Sequence, residues 1–199
     1  MDTFFTNIYE NNEWGNNNNP YYKGSSGGGS EINYNINTYI PFLQSFIIDN
    51  SIKTIVDLGC GDFVCGKYIY DILDISYIGY DIYKKVIEYN SNTYALPKYK
   101  FVYLDFYNNK EKIENADLCI LKDVLQHWKI EEIYDFMDYI TQNKKFKYIL
   151  IINCCNQTND DFDNEQRSKP LSIDYLPLKK YNPVKLYNYN TKEVSLIRL

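Results

Sequence analysis

The stretch IVDLGCGDFVCG, residues 55–66, decides how this chain folds. A β-branched run (TIVDL, 54–58) ends at two glycines set between aspartates, and helical spacing takes over across residues 63–73. The pattern predicts a buried strand, a sharp turn and a helix. Glycines at 59 and 61 let the backbone turn tightly and come close to a ligand. Alone, the turn suits either a plain strand–helix connection or a loop that holds a nucleotide-like group.

Working outward, IPFLQSFII (40–48) predicts a short amphipathic helix before the strand. After the turn, YIGYDI (77–82) reads as a second strand and 83–94 as a helix. KFVYLDF (100–106) is a third strand and ADLCIL (116–121) a fourth. A helix is expected over 131–142, with Ile133, Phe136, Met137 and Ile140 on one face, and a fifth strand at YILIINC (148–154). VKLYNYN and EVSLIRL, joined by a short polar turn near the C-terminus, predict an antiparallel pair. Strands alternating with helices imply a parallel sheet covered on both faces, and the uninterrupted runs TIV, ADLCIL and YILII fit strands buried on both sides. The expected fold class is doubly wound α/β.

The 199 residues favour one folded domain (36–199) preceded by an arm (1–35) rich in Asn and Gly, with NNNNP at 16–20 and KGSSGGGS at 23–30. Composition makes the arm a flexible leader. Its large apolar residues (Phe4, Phe5, Ile8, Tyr9, Trp14, Tyr21, Tyr22) suggest instead a segment that folds back over a site. Asn recurs throughout alongside Tyr, Ile and Lys, as AT-rich coding would produce, so Asn clusters carry no functional weight here. The net charge of −5 argues against duplex nucleic acid as a partner. The C-terminal residues 167–199 nonetheless hold seven bases against two acids. No apolar run approaches the roughly 18 residues of a membrane span, and the N-terminus lacks a signal-peptide pattern. Five cysteines without CxxC spacing read as reduced thiols in a cytoplasmic protein, and with a single histidine no metal site is expected.

In doubly wound folds, ligands bind beyond the carboxyl ends of the strands. Asp57, Gly59, Gly61 and Asp62 follow the first strand, Asp81 ends the second, Asp105 lies at the third, and Lys122 and Asp123 close the fourth. Acids beside the glycines would repel a pyrophosphate but suit a ligand with an amino group and a cationic centre. Asp81 lies about 20 residues past the glycines, where an acid can take both ribose hydroxyls. Asp105 is placed to accept from an adenine amino group. The expectation is that these ends converge on one crevice.

With IVDLGCGD (55–62), IGYD (78–81), LDF (104–106), ADLCILKDVLQH (116–127) and YILIINC (148–154) in this order, the chain resembles the class I, Rossmann-like, S-adenosylmethionine-dependent methyltransferases. The resemblance runs from about residue 40 to the end. It implies a seven-stranded, mostly parallel sheet with an antiparallel last pair, and S-adenosylmethionine as cofactor. It also implies cofactor binding by Asp57, Gly59, Cys60, Gly61, Asp62, Asp81, Ile82, Asp105, Phe106 and Lys122. WG at 14–15, SGGGS at 26–30, Asp62–Phe63, KDVLQH and KPLSI (169–173) further resemble a small bacterial-type subgroup associated with glycan and secondary-metabolite modification. That similarity implies a substrate or lid role for Trp14, Ser26, Gly27, Gly29 and Ser30. The chain departs from the subgroup at Lys23–Gly24, where Glu-Ser is expected, and at Lys122, where Arg is usual.

The function expected is O-methylation of a sugar, glycan or other small-molecule hydroxyl. Methylation of nucleic acid or protein, or a non-catalytic cofactor-binding partner, are the alternatives, and no NPPY-like stretch follows the fourth strand to favour base methylation. His127, the only histidine, is either the general base or a structural residue, with Asp123 expected on the same helical face, four residues before it. Lys122 is either a contact for an anionic substrate group or a surface lysine. Asp62 meets the cofactor's amino group or caps a helix, and Phe63 is read as helix packing. Asp161, Asp163 and Glu165 form either a substrate loop or a solvated one. Oligomeric state is open.

Overall fold

The computed structural model describes residues 2–160 and 167–199. Asp161, Asp163 and Glu165 lie outside them. The chain divides into two compact units, Met1–Asn109 and Lys110–Leu199. Its seven strands form a mixed α/β sheet in the order β3-β2-β1-β4-β5-β7-β6, numbered along the chain as introduced below.

The first unit holds α1 (Asp2–Glu10), α2 (Ile32–Asn35), α3 (Tyr39–Asp49), β1 (Thr54–Leu58), α4 (Gly66–Tyr70), β2 (Ser76–Asp81), α5 (Lys84–Thr93) and β3 (Tyr99–Tyr103). β1 pairs in parallel with β2, and β2 with β3. Ile55, Val56 and Leu58 are buried along β1, as the β-branched run predicts. Tyr39, Ile40, Leu43 and Ile47 form the buried stripe of α3.

Two elements are shorter than their sequence patterns. The helix expected over 63–73 is reduced to α4, because Phe63 takes a left-handed backbone (φ 55°) and Gly66 lies flat against its ring. Phe63 is buried among Tyr70, Tyr77, Tyr94, Tyr99 and Phe101, with ring centroids 4.9–6.0 Å away, which is the packing role expected of it. β3 stops at Tyr103: the Leu104 amide makes the last bond to β2, on the Asp81 carbonyl (3.0 Å), and Asp105 then closes a turn.

The arm is folded within this unit. Tyr9 and Tyr22 join Tyr83, Val86 and Ile87 of α5 in one buried cluster, with Trp14 packed against it. The Tyr9 ring stacks on Tyr83 at 4.3 Å and 11°. A β-bridge between Asn16 and Gly24 closes the NNNNP loop. Burial of these rings favours an ordered arm, against the entropy lost by a Gly- and Asn-rich segment.

The second unit holds β4 (Ala116–Lys122), α6 (Ile130–Gln142), β5 (Phe146–Cys154), β6 (Val184–Tyr189) and β7 (Lys192–Arg198). β4 and β5 are parallel, while β5–β7 and β6–β7 are antiparallel, giving the expected C-terminal pair. Leu118–Leu121 and Ile149–Ile152 are wholly buried, as uninterrupted apolar strands require. On α6, Ile130, Ile133, Phe136, Met137 and Ile140 face the core, and Glu132 accepts the Lys129 amide (2.8 Å) at its start.

Candidate functional site

In the first unit the glycine loop is built by its neighbours. The amides of Gly59 and Cys60 both donate to the Tyr80 carbonyl, at 2.8 and 3.0 Å, turning the chain off β1. Gly59 (φ 81°) and Gly61 (φ 53°) occupy the left-handed region that favours glycine. The Gly61 peptide is gripped on both sides. Its N–H donates to Asp81 Oδ2 (3.0 Å), and its carbonyl accepts from Nδ2 of the fully buried Asn90 (2.7 Å).

Asp81 is itself buried, and its Oδ1 accepts the Tyr83 amide (2.9 Å). Burial raises its pKa, while the amides of Tyr83 and Gly61 oppose that shift by binding the charged form. The Ile82 amide opposes the shift as well, so three backbone donors serve this carboxylate. Cys60 packs against Gly79, where a side chain would reach its Sγ at 2.8 Å. Burial pushes the Cys60 thiol up, and the carboxylates of Asp81, Asp57 and Asp62 push it further, so the loop's electrostatic surroundings are acidic.

The arm lies directly on this loop. Ser26 Oγ accepts the Asp62 amide (2.9 Å), the Ser26 amide returns a long bond to Asp62 Oδ2 (3.4 Å), and Tyr9 Oη meets Ser26 Oγ at 2.8 Å. A side chain on Gly61 would meet Ser26 Oγ at 2.6 Å, so glycine is needed there for the contact. Asp62 Oδ1 accepts the Val64 amide (3.3 Å), a local turn; it does not cap α4, whose first residue is Gly66. The SGGGS segment is pinned by Asn35, whose Nδ2 donates to the carbonyls of Gly29 (2.9 Å) and Glu31 (2.7 Å), while Cys65 Sγ reaches the Ser30 carbonyl (3.0 Å). Gly27 lies against Trp14. A pocket of about 660 Å³ opens here, lined by Trp14, Asn16, Ser25, Ser30, Asn33 and Asp62 among others. It falls within the size range of small-molecule sites.

The other expected residues of this unit have local partners of their own. Asp57 accepts the Tyr77 hydroxyl (2.8 Å). Asp105 accepts both the amide (3.1 Å) and the side chain (2.7 Å) of Asn108, so its carboxylate closes its own turn. Ile82 and Phe106 are buried.

In the second unit, Asp123 has a left-handed backbone (φ 59°) and lies outside any helix; residues Leu125–His127 form a single 3-10 turn. The shared helical face expected for Asp123 and His127 is therefore absent. Asp123 is instead bridged by two lysines, Lys122 at 2.9 Å and Lys192 on its other oxygen. These ammonium groups overcome burial and hold its carboxyl below the usual range.

The hydrogen-bond network fixes the His127 tautomer. The Cys154 amide donates to Gln126 Oε1 (2.9 Å), which turns the Gln126 NH₂ towards His127 Nε2 (3.2 Å). Nε2 is then the acceptor, and Nδ1–H donates to Ser168 Oγ (3.0 Å). Burial, helped by Lys192 and Lys169 and opposed by Asp123, lowers the imidazole pKa to about 4.

Asn35, Asn90, Gln126 and Lys192 had no assigned role in the sequence, and Tyr9 only a general one among the arm's large apolar residues. For Asn90 a signal existed, since it lies four residues after Val86 and both face the core of α5. Treating Asn as compositional background concealed it.

The sequence matches no protein-family model and no curated protein. Solved structures do match. The methyltransferase domain of bacterial CtHen1 superposes with a TM-score of 0.65 at 10% identity, covering 85% of this chain and 99% of that one. An O-methyltransferase family protein from Burkholderia thailandensis gives 0.61 at 13% identity, covering 80% of this chain and 54% of that one. Human N-acetylserotonin methyltransferase, in complex with SAM, gives 0.53 at 17%, with coverages of 80% and 54%. The chain thus spans the whole of the first and about half of the other two. At these identities the likeness establishes the fold alone, an α/β fold shared with these methyltransferases. No helix among the described residues is long and apolar enough to cross a membrane.

Proposed function

We propose that this protein is an S-adenosylmethionine-dependent methyltransferase that methylates a hydroxyl of a sugar, glycan or other small molecule. The observation that carries the reading is the Gly61 peptide held between Asp81 and Asn90 at the end of β1 and β2. The donor set suits that cofactor. Carboxylates from Asp57, Asp62 and Asp81 surround the loop, favouring an amino group and a sulfonium over a pyrophosphate. The Asp81 carboxylate, at the end of β2, suits a ribose hydroxyl. When bound, the cofactor supplies an electrophilic methyl group.

The protein's own part is positioning and proton handling. Asp81 and Gly61 would orient the ribose and loop, and Asp62 the amino group. The arm residues Trp14, Ser26, Gly27, Gly29 and Ser30 would exclude water. His127 is neutral at pH 7, the state a general base needs, and Nε2 is the atom that would take the proton once the Gln126 amide gives way. An acceptor hydroxyl agrees with one of the matched folds belonging to an O-methyltransferase family protein. Five free thiols suit a reducing, intracellular setting.

Calorimetry with S-adenosylhomocysteine tests the reading. Wild type should bind, and Asp81→Asn should bind at least tenfold more weakly, because its amide would set an N–H against the Gly61 or Tyr83 N–H. No binding by the wild type, or equal binding by both, would overturn it.

A further inference from the structure

We propose that the second unit carries a subsite for an anionic oxygen group of the methyl acceptor, a phosphate or a carboxylate, gathered by Lys192 at the start of β7 with Lys122 beside it. The inference rests on the methyltransferase reading and gives its acceptor a charge.

Lys192 is an unusual place for a lysine. Its side chain is 6% exposed, yet its ammonium is shared between Asp123 and the Cys154 thiol (3.1 Å). Three N–H groups are available, and those two partners take two of them. Asp123 divides one carboxylate between Lys192 and Lys122. A buried ammonium is costly unless a full opposite charge accompanies it.

Among the described residues, the neighbouring carboxylates of Glu193 and Glu132 are bound by other groups. Glu193 is bound by Lys185 (2.7 Å) and the Ile173 amide (2.9 Å), and Glu132 of α6 by Arg167 (2.8 Å). Lys169, also buried, adds a further cation whose Nζ donates to the Trp128 carbonyl (2.6 Å). The cluster reaches solvent through Lys122 and Asp123, whose side chains are 16% and 19% exposed. The left-handed backbone of Asp123 sets that carboxylate between the two lysines, and such strain concentrates at functional positions.

The subsite would act on the proposed base. His127 is faced by Asp123 from the end of β4, by Lys192 from β7, and by Arg167, Ser168 and Lys169 from the segment after β5, with Arg167 also bound to the His127 carbonyl (3.2 Å). Lys192 and Lys169 disfavour a charged imidazole. An oxyanion bound at Lys192 offsets them and strengthens the base when the acceptor is present.

The single histidine makes the test direct, because its imidazole Cε1–H resonance needs no assignment. We expect the His127 titration midpoint, followed by proton NMR, to rise saturably by at least about half a pH unit with inorganic phosphate relative to chloride at equal ionic strength. Trifluoroacetate, a carboxylate that stays ionised at the His127 midpoint, distinguishes in a parallel arm a carboxylate site from a phosphate site. Lys192→Arg should keep the rise and Lys192→Met abolish it. Should Lys192→Met not fold, Lys122→Gln serves instead and should weaken anion binding severalfold. A midpoint unmoved by either anion, or an equal rise in Lys192→Met and Lys122→Gln, would overturn the proposal. S-adenosylhomocysteine calorimetry on the same samples keeps the two readings separate. Binding without an anion effect removes this inference alone, and absent binding removes the methyltransferase reading.

Discussion

Replacing Asn90 by leucine isolates the grip on the glycine loop. Leucine fills nearly the same space and removes the donor that bonds the Gly61 carbonyl at 2.7 Å. Orphaning a buried carbonyl costs about 1–3 kcal/mol. Asn90 Oδ1 is also buried and has no hydrogen-bond partner, so removing it returns roughly 1 kcal/mol of desolvation already spent. The net expectation is a loss of about 1 kcal/mol in urea unfolding. Cofactor affinity should fall more than stability suggests. The Gly61 peptide would then be held by Asp81 alone, and about 1.4 kcal/mol felt in the loop is a tenfold weaker Kd for S-adenosylhomocysteine by calorimetry. An affinity within twofold of wild type, with stability reduced, would show that Asn90 is packing and not a clamp.

The acid side of the stability profile should report His127. Its folded pKa, about 4, lies below its ordinary value, so the folded protein binds fewer protons between pH 4 and about 6.5. The stabilisation is complete above about pH 6.5 and is lost as pH falls, by up to about 3 kcal/mol. In urea titrations His127→Gln should flatten that part of the slope, and parallel profiles would refute it. Gly66→Ala places a methyl 2.1 Å from a Phe63 ring carbon in a crowded aromatic cluster, so a loss of about 1–3 kcal/mol is expected despite better helix propensity, with a neutral result counting against the packing. Tyr9→Phe keeps the stack on Tyr83 and removes the bond to Ser26. Hydrogen exchange of the arm amides should accelerate about fivefold, and unchanged protection would mean the stack alone holds the arm.

The sheet was legible because its signals are local. Apolar runs such as ADLCIL and YILII predict strands that stand within two residues of β4 and β5, and VKLYNYN predicts β6. The glycine loop and Asp81 were legible for the same reason, since spacing from a strand end locates them. Partnerships across long separations were not. Ser26 meets Asp62 over 36 residues, and Lys192 meets Asp123 over 69. Nothing in periodicity pairs them. The Asp123–His127 expectation failed at a backbone angle, because a left-handed residue ends the helical spacing on which it depended.

The contact between Ser26 and the glycine loop ties two motions into one equilibrium. The free energy of that contact is shared: whatever it adds to the order of the loop it adds equally to the arm, because coupling between sites is reciprocal. A molecule seated on the loop would therefore have its residence time set by how often some thirty residues lift away together, not by its own contacts alone. Turnover governed in this way would respond to changes in the Tyr9–Tyr83 stack, remote from any bond being made or broken.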